Sequence, residues 1–290
     1  MALRSLLFVP ADSPRKLARA LGAGADVLLI DLEDSVAASA KAGARESARE
    51  FLAQARRDGV SAKLFVRVNA LDSGLTDADL DAVMRAAPDA ILLPKCAAGR
   101  DVQHLSAKLG VREAENGLMD GITGIMAIAT ETAASLFSLG SYAGASRRLT
   151  ALTWGAEDLS AELGSLSTRD AAGVYTGPYC LARNLTLAGA MAADVAPIDT
   201  VYANFRDAAG FARECAEAAR DGFTGKMAIH PDQVAVINAA FTPSAEALAR
   251  AEKIVAAFAQ KPEAGVLSVD GEMLDRPHLK RAERLLARAG

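Results

Sequence analysis

Cysteine is scarce in this chain. Cys96, Cys180 and Cys215 lie far apart and match no metal-ligand spacing, so an odd, scattered set fits reduced thiols better than a disulfide framework. Histidine is as sparse: His104, His230 and His278 form no HExxH, and no Ser-His-Asp set is visible. There is no long basic run, the net charge is −4 and the pI is near 5.5, so neither nucleic acid nor a membrane surface is expected as a partner. No apolar run approaches the ~20 residues needed to span a bilayer. Leu6–Val9 is also far too short for a signal peptide, so the expected location is cytoplasmic. No GxGxxG opens a helix after the first apolar run, which leaves a dinucleotide site unsupported.

What the chain has is apolar mass and alternation. Of 290 residues, 51% are hydrophobic, and mean hydropathy is +0.15, enough for a sizeable core. Eight short runs have strand character: Leu6–Val9, Val27–Leu32, Leu64–Val68, Ala90–Leu93, Ile122–Ala129, Leu149–Trp154, Ile198–Tyr202 and Lys226–Ile229. Most are continuous rather than alternating, as in strands buried on both faces. Helical periods lie between them at Lys41–Arg57, Arg100–Leu109, Asp207–Arg220 and Val234–Phe241. Gly59, Gly110 and Gly222 suit the positions just past three of these helices. The pattern reads as an α/β chain folded into a (β/α)8 TIM barrel over residues 1–242, with an open doubly wound sheet as fallback. Residues 243–290 differ. A helix from Pro243 to about Ala259, a hairpin around Asp270-Gly271 and a last amphipathic helix, Arg276–Ala289, form an extension too short to stand alone. It is expected to pack as a lid on its own barrel or a neighbour's.

Barrels of this kind place their chemistry at the C-terminal strand ends. The fifth run stops before Glu131 and the sixth before Asp158. Two acids on one rim can hold Mg²⁺, which needs only one or two protein carboxylates. The same acids also suit the first turns of the helices that follow. Arg67 interrupts an apolar strand, and its fork suits a carboxylate or thioester oxygen of a substrate; an internal ion pair with Glu33 or Asp34 is the alternative. Glu33 and Asp34 can hold metal-bound water or accept a proton, or Asp34 can cap a helix. Lys95 can touch substrate. Arg4, Arg15, Lys16 and Arg19 can clasp phosphates, or form an exposed helix face. His230 precedes Pro231 at a helix start, where a structural role and a ligand contact are equally open.

The segments RSLLFVPADSPRKLARA, GADVLLIDLEDSV, FVRVN, ILLPK, ATETA, WGAEDLSAELG, IDTVY and GFTGKMAIHPDQ resemble, in this order, the citrate lyase beta-subunit family. That is the HpcH/HpaI aldolase-like group with malyl-CoA and citramalyl-CoA lyases. The resemblance implies Mg²⁺-dependent cleavage or formation of a carbon–carbon bond in a 3-hydroxyacyl-CoA thioester such as malyl-, citramalyl- or citryl-CoA. It puts the metal carboxylates on Glu131 and Asp158 and the substrate arginine on Arg67. Glu33 and Asp34 fall near the metal waters, and the basic cluster near the CoA nucleotide. Asp275, in DGEMLDRP, falls on a lid aspartate that reaches a neighbouring subunit's site, so a homo-oligomer, a trimer for preference, is expected. Thr130 departs from the family pattern, where an apolar residue more often precedes the glutamate. Two other readings remain: a metal-dependent aldolase of free 2-oxo acids, and a non-catalytic barrel subunit.

Overall fold

The computed structural model describes residues 3–289. Strand and helix alternate in the order β1 (Ser5–Pro10), α1 (Pro14–Ala20), β2 (Val27–Asp31), α2 (Lys41–Arg57), β3 (Lys63–Arg67), α3 (Thr76–Val83), β4 (Ala90–Leu93) and α4 (Gly99–Glu115). Then follow β5 (Gly124–Ile128), a 3-10 helix (Ala134–Tyr142) in place of an α-helix, β6 (Leu149–Thr153), two helices in succession, α5 (Glu157–Leu163) and α6 (Gly177–Ala192), then β7 (Ala196–Asp199), α7 (Ala208–Asp221), β8 (Gly225–Ala228) and α8 (Asp232–Phe241). The eight strands are parallel, pair in chain order, and close into a barrel through β1 and β8.

The continuous apolar strands are explained by two concentric cores. Leu6, Val27, Leu29, Phe65, Leu92, Met126, Ile128, Ile198 and Met227 fill the barrel interior. Their neighbours Leu7, Leu28, Ile30, Leu64, Val66, Ile91 and Leu152 pack outward against the helices. Both faces are therefore covered, which is why most of the strands read as continuous apolar runs. Between β5 and β6 the register slips, pairing Ile125 with Leu149 but Met126 with Ala151, which leaves Thr150 as an extra residue. A bulge of this kind falls on β6, the strand that leads to Asp158.

Several helix bounds differ from expectation. Gly110 does not end a helix; α4 runs through it to Glu115, and the positive φ falls on Gly117 instead. The cause lies beyond Gly110. Glu113 is fully buried and pairs with Arg148 at 2.7 Å, while also accepting from the N–H groups of Gly121 and Thr123. A single glycine costs a helix only ~1 kcal/mol, less than this cluster supplies. Helix α6 has no counterpart among the expected periods. The tail helix begins at Ala245 rather than Pro243, because Ser244 caps it by accepting from the Ala247 N–H.

The Glu113 cluster ties α4 to the bases of β5 and β6. Burial alone raises a carboxyl's pKa, but the Arg148 fork and the two N–H donors outweigh it and hold Glu113 down to about 2. The folded state therefore binds this proton more weakly than the unfolded chain, whose model value is 4.5. The stabilisation is complete above that value and disappears as pH falls toward about 2. Glu113→Gln should cost about 3 kcal/mol at pH 7. Urea unfolding of the two proteins should converge as pH drops below 4.5; a constant difference across pH 2–7 would contradict this assignment.

The extension comprises α9 (Ala245–Gln260), the hairpin β9 (Val266–Val269) with β10 (Glu272–Asp275), and α10 (Arg276–Ala289). Ala251, Ile254, Phe258, Leu274 and Ala282 form its buried cluster, separate from the barrel's. No helix among the described residues is long and apolar enough to cross a membrane.

Candidate active site

The inward column of β2 runs Val27, Leu29, Asp31, and that of β3 runs Phe65, Arg67. In the parallel register Asp31 stands directly beside Arg67. Arg67 Nε and Nη2 donate to the two Asp31 oxygens, each at 2.7 Å, and Nη1 stands 2.8 Å from Glu33 Oε2. The Phe8 ring lies under the guanidinium at 4.9 Å. Burial would lower the proton affinity of Arg67, but Asp31, Glu33 and Asp34 more than reverse this, so the side chain stays cationic. An arginine in the upper barrel is thus held rigid, with Nη1 toward the rim. The internal ion pair exists, chiefly with Asp31; Asp34 is largely exposed, 3.8 Å from Arg67.

Glu131 follows β5 and is only 4% exposed. It accepts the backbone N–H of Lys95. That N–H points inward because Lys95 adopts a left-handed backbone, φ 51°, a strained choice for a side-chain-bearing residue. The Lys95 ammonium contacts Glu33 and stands 3.3 Å from Asp158 and 3.7 Å from Asp34. Asp158 lies in the first turn of α5, half-exposed. Burial drives the Glu131 carboxyl up to about 8, and the charges of Asp158 and Glu33 push the same way against Lys95. Burial likewise raises Glu33, against Arg67 and Lys95.

This is a donor set short of positive charge. One deeply buried acid and one half-exposed acid face the same space, with Lys95 as the nearest cation. No cluster of three or more His, Cys, Asp and Glu with metal-holding geometry occurs among the described residues. Two carboxylates suffice for Mg²⁺, which keeps several waters or substrate oxygens. Gly155 makes the room: a Cβ there would lie 2.9 Å from Glu131 Cγ and 3.2 Å from its Oε1. Gly155→Ala should therefore displace Glu131 and weaken Mn²⁺ binding at least about tenfold, by analogy with disturbed supports of metal ligands. Titration calorimetry would read this, and unchanged affinity would show that Glu131 is not held by this packing.

Beside Arg67 a cavity of about 470 Å³ opens between the ends of β1 and β8, lined in part by Pro10, Lys16, Arg19, Asp31, Arg67 and His230. His230 is stacked on Phe205 at 5.1 Å. The structure thus gathers Arg67, Glu33, Asp34, Lys95, Glu131 and Asp158 on one rim, with Lys16 and Arg19 at the adjoining cavity. Arg15 is exposed on α1 outside that lining. Arg4 does not join the site. It precedes β1, so it lies at the opposite end of the barrel, with its guanidinium held by Asp26 at 2.8 Å and by Thr242 at 2.7 Å. Asp275 likewise makes no contact with the rim in this chain; it ends β10, just before α10, against His278.

Three residues to which the sequence alone assigns no role support the site, although Asp31 and Gly155 lie at strand ends. Asp31 aligns Arg67, but only the strand register reveals it. Lys41 donates to the carbonyls of Leu32 and Glu33 and to Asn69 Oδ1, clamping the turn that carries Glu33. Gly155 is set by the packing of Glu131. For Lys41 and for the packing role of Gly155 the chain offers no local signal.

Comparisons with known proteins identify the family of the chain. A family model described as HpcH/HpaI aldolase/citrate lyase matches residues 4–231. Citrate lyase subunit beta of Leuconostoc mesenteroides subsp. cremoris is 34% identical, over 98% of this chain and 92% of its own. The mitochondrial citramalyl-CoA lyase of Rattus norvegicus is 32% identical, over 99% and 86%. CitE from Mycobacterium tuberculosis, solved in complex with magnesium, acetoacetate and coenzyme A, superposes with a TM-score of 0.78 at 33% identity, covering 100% of this chain and 98% of that one. The chain belongs to the HpcH/HpaI aldolase/citrate lyase family.

Proposed function

We propose that this protein is a Mg²⁺-dependent carbon–carbon lyase that splits a malyl-type 3-hydroxyacyl-CoA thioester into an acyl-CoA and a 2-oxo acid, or runs the reverse condensation. The observation that carries this is the buried Glu131 beside Asp158, facing a fixed Arg67 at the mouth of a cavity. Glu131 and Asp158 are the residues that would hold the metal. When bound, Mg²⁺ supplies Lewis acidity that eases deprotonation of the substrate hydroxyl and stabilises the carbonyl that forms.

The chain's own groups do the rest. Asp275 from a neighbouring subunit, which its own His278 keeps ionised, takes the 3-hydroxyl proton, the carbon–carbon bond breaks, and its electron pair passes into the thioester as an enolate. Arg67, pinned by Asp31, presents Nη1 to that enolate oxygen without having to reorganise. Lys95 neutralises Glu33 and orders the rim. Asp275 then returns that proton to the enolate carbon, and closure of the extension excludes water. On this reading the working form is an oligomer, with a trimer favoured, and Lys16 and Arg19 lie toward the CoA phosphates.

Deletion of residues 266–290 should lower kcat about 10²-fold or more, the scale of a lost general acid, while a 2-oxo acid still binds the barrel; undiminished turnover would remove the lid from the mechanism. The reading as a whole is tested with a panel of malyl-, citramalyl- and citryl-CoA, with Mg²⁺ and with excess EDTA. Metal-dependent release of a 2-oxo acid from one member is expected. No release from any member, with turnover of a free 4-hydroxy-2-oxo acid instead, would replace the thioester reading with the free-acid aldolase.

A further inference from the structure

The last helix carries an unusual surface. Arg276, Lys280, Arg284 and Arg288 recur every four residues along α10, so they form one stripe, with Arg281 beside it. The opposite face is committed: Ala282 is buried with Leu279, Leu285 and Leu286 in the extension's own cluster. All five cations are exposed. Arg276, Pro277, Lys280, Arg281 and Arg284 line an open groove of about 590 Å³. Among the described residues, no carboxylate pairs with any of the five. Two basic residues elsewhere in the extension do have partners: Arg250 pairs with Glu272, and Lys253 with Asp270. Arg276 is fixed by donating to the Pro262 carbonyl and lying over the Phe258 ring at 5.4 Å.

This arrangement works against helix stability. Like charges four residues apart repel. The first turn holds no acid, and cations there oppose the helix dipole. The protein as a whole carries a net charge of −4, so a concentrated positive groove runs against its own composition. Arginine forks and a lysine on one groove suit phosphate oxygens. Asp275, the last residue of β10, immediately precedes the stripe, so the acid and the cations lie on one continuous segment of the extension.

We propose that the α10 groove binds the phosphates at the nucleotide end of the substrate, a 3′-phosphorylated adenosine diphosphate group, and that this contact draws the lid closed. The proposal rests on the thioester reading above. Lys16 and Arg19 line the cavity on the barrel, and the stripe lies on the lid, so substrate phosphates would be gripped from both sides on closure.

The test is titration of the full-length protein with 3′-phosphoadenosine 5′-phosphate and, separately, 4′-phosphopantetheine. The variant is Arg276→Gln/Lys280→Gln/Arg284→Gln, which removes charge at exposed positions, with Lys280→Glu as a second variant should the triple one fold poorly. The wild type should bind the adenosine compound more tightly, with an affinity that falls as salt rises. The triple variant should lose at least tenfold in that Kd and in KM for the CoA thioester, and Lys280→Arg should retain both. Equal Kd in wild type and variants, or a preference for phosphopantetheine, would overturn the proposal. Failure of the thioester reading looks different: stripe-dependent nucleotide binding would persist although no thioester turns over.

Discussion

Glu131→Gln is expected to reduce kcat/KM by about 10³-fold or more, because losing one of two metal carboxylates forfeits several kcal/mol of transition-state stabilisation. The amide keeps the size of the side chain and can still accept the Lys95 N–H, so the fold around it survives. Stability should move the other way. The folded-state pKa of Glu131 is about 8, far above its model value of 4.5. An acid whose folded pKa is raised destabilises the fold at pH values above its unfolded pKa, because the buried group holds its proton more tightly than the open chain does. At pH 7 the metal-free variant should therefore have a higher Tm than the metal-free wild type. Loss of activity with a gain in metal-free Tm is the signature of a charged group buried for function. A fall in both would mark Glu131 as a structural acid. Calorimetry without metal, beside steady-state assays with Mg²⁺, decides between them.

Arg67→Lys is the second large effect, with an expected loss in kcat/KM of about 10²- to 10³-fold, the scale of removing one oxyanion donor. Lysine keeps the charge and loses the fork. It cannot satisfy both Asp31 oxygens and still turn a donor toward the rim. Asp31 is 1% exposed, so part of the cost falls on stability, and Tm should drop. The functional part is read from kcat: it should fall even at saturating thioester, since the lost contact strengthens as charge develops on the oxygen. Near-normal kcat/KM would assign Arg67 to the internal pair with Asp31 alone.

How much of this could be read from the chain follows from which forces are local. The eight strands could, because a strand buried on both faces is written as an unbroken apolar run, and Ala90–Leu93 falls where the run does. The rim could, because the polarity of the barrel turns strand ends into a site. That polarity also argues against Arg4, which lies ahead of the first strand and hence at the other end; its membership of a basic cluster in sequence concealed this. The pairing of Arg67 with Asp31 rather than chiefly with Glu33 depends on register, which adjacent strands fix together and neither shows alone. The run of α4 through Gly110 depends on Glu113 meeting Arg148, from another element far along the chain.

The account stands on one divalent cation held by Glu131 and Asp158. Titrating Mn²⁺ into the metal-free protein, and following free Mn²⁺ by electron paramagnetic resonance, measures this directly. One site per chain is expected in the wild type, displaced by Mg²⁺ and absent from Glu131→Gln/Asp158→Asn. Stoichiometric binding that persists in the double variant would contradict the account.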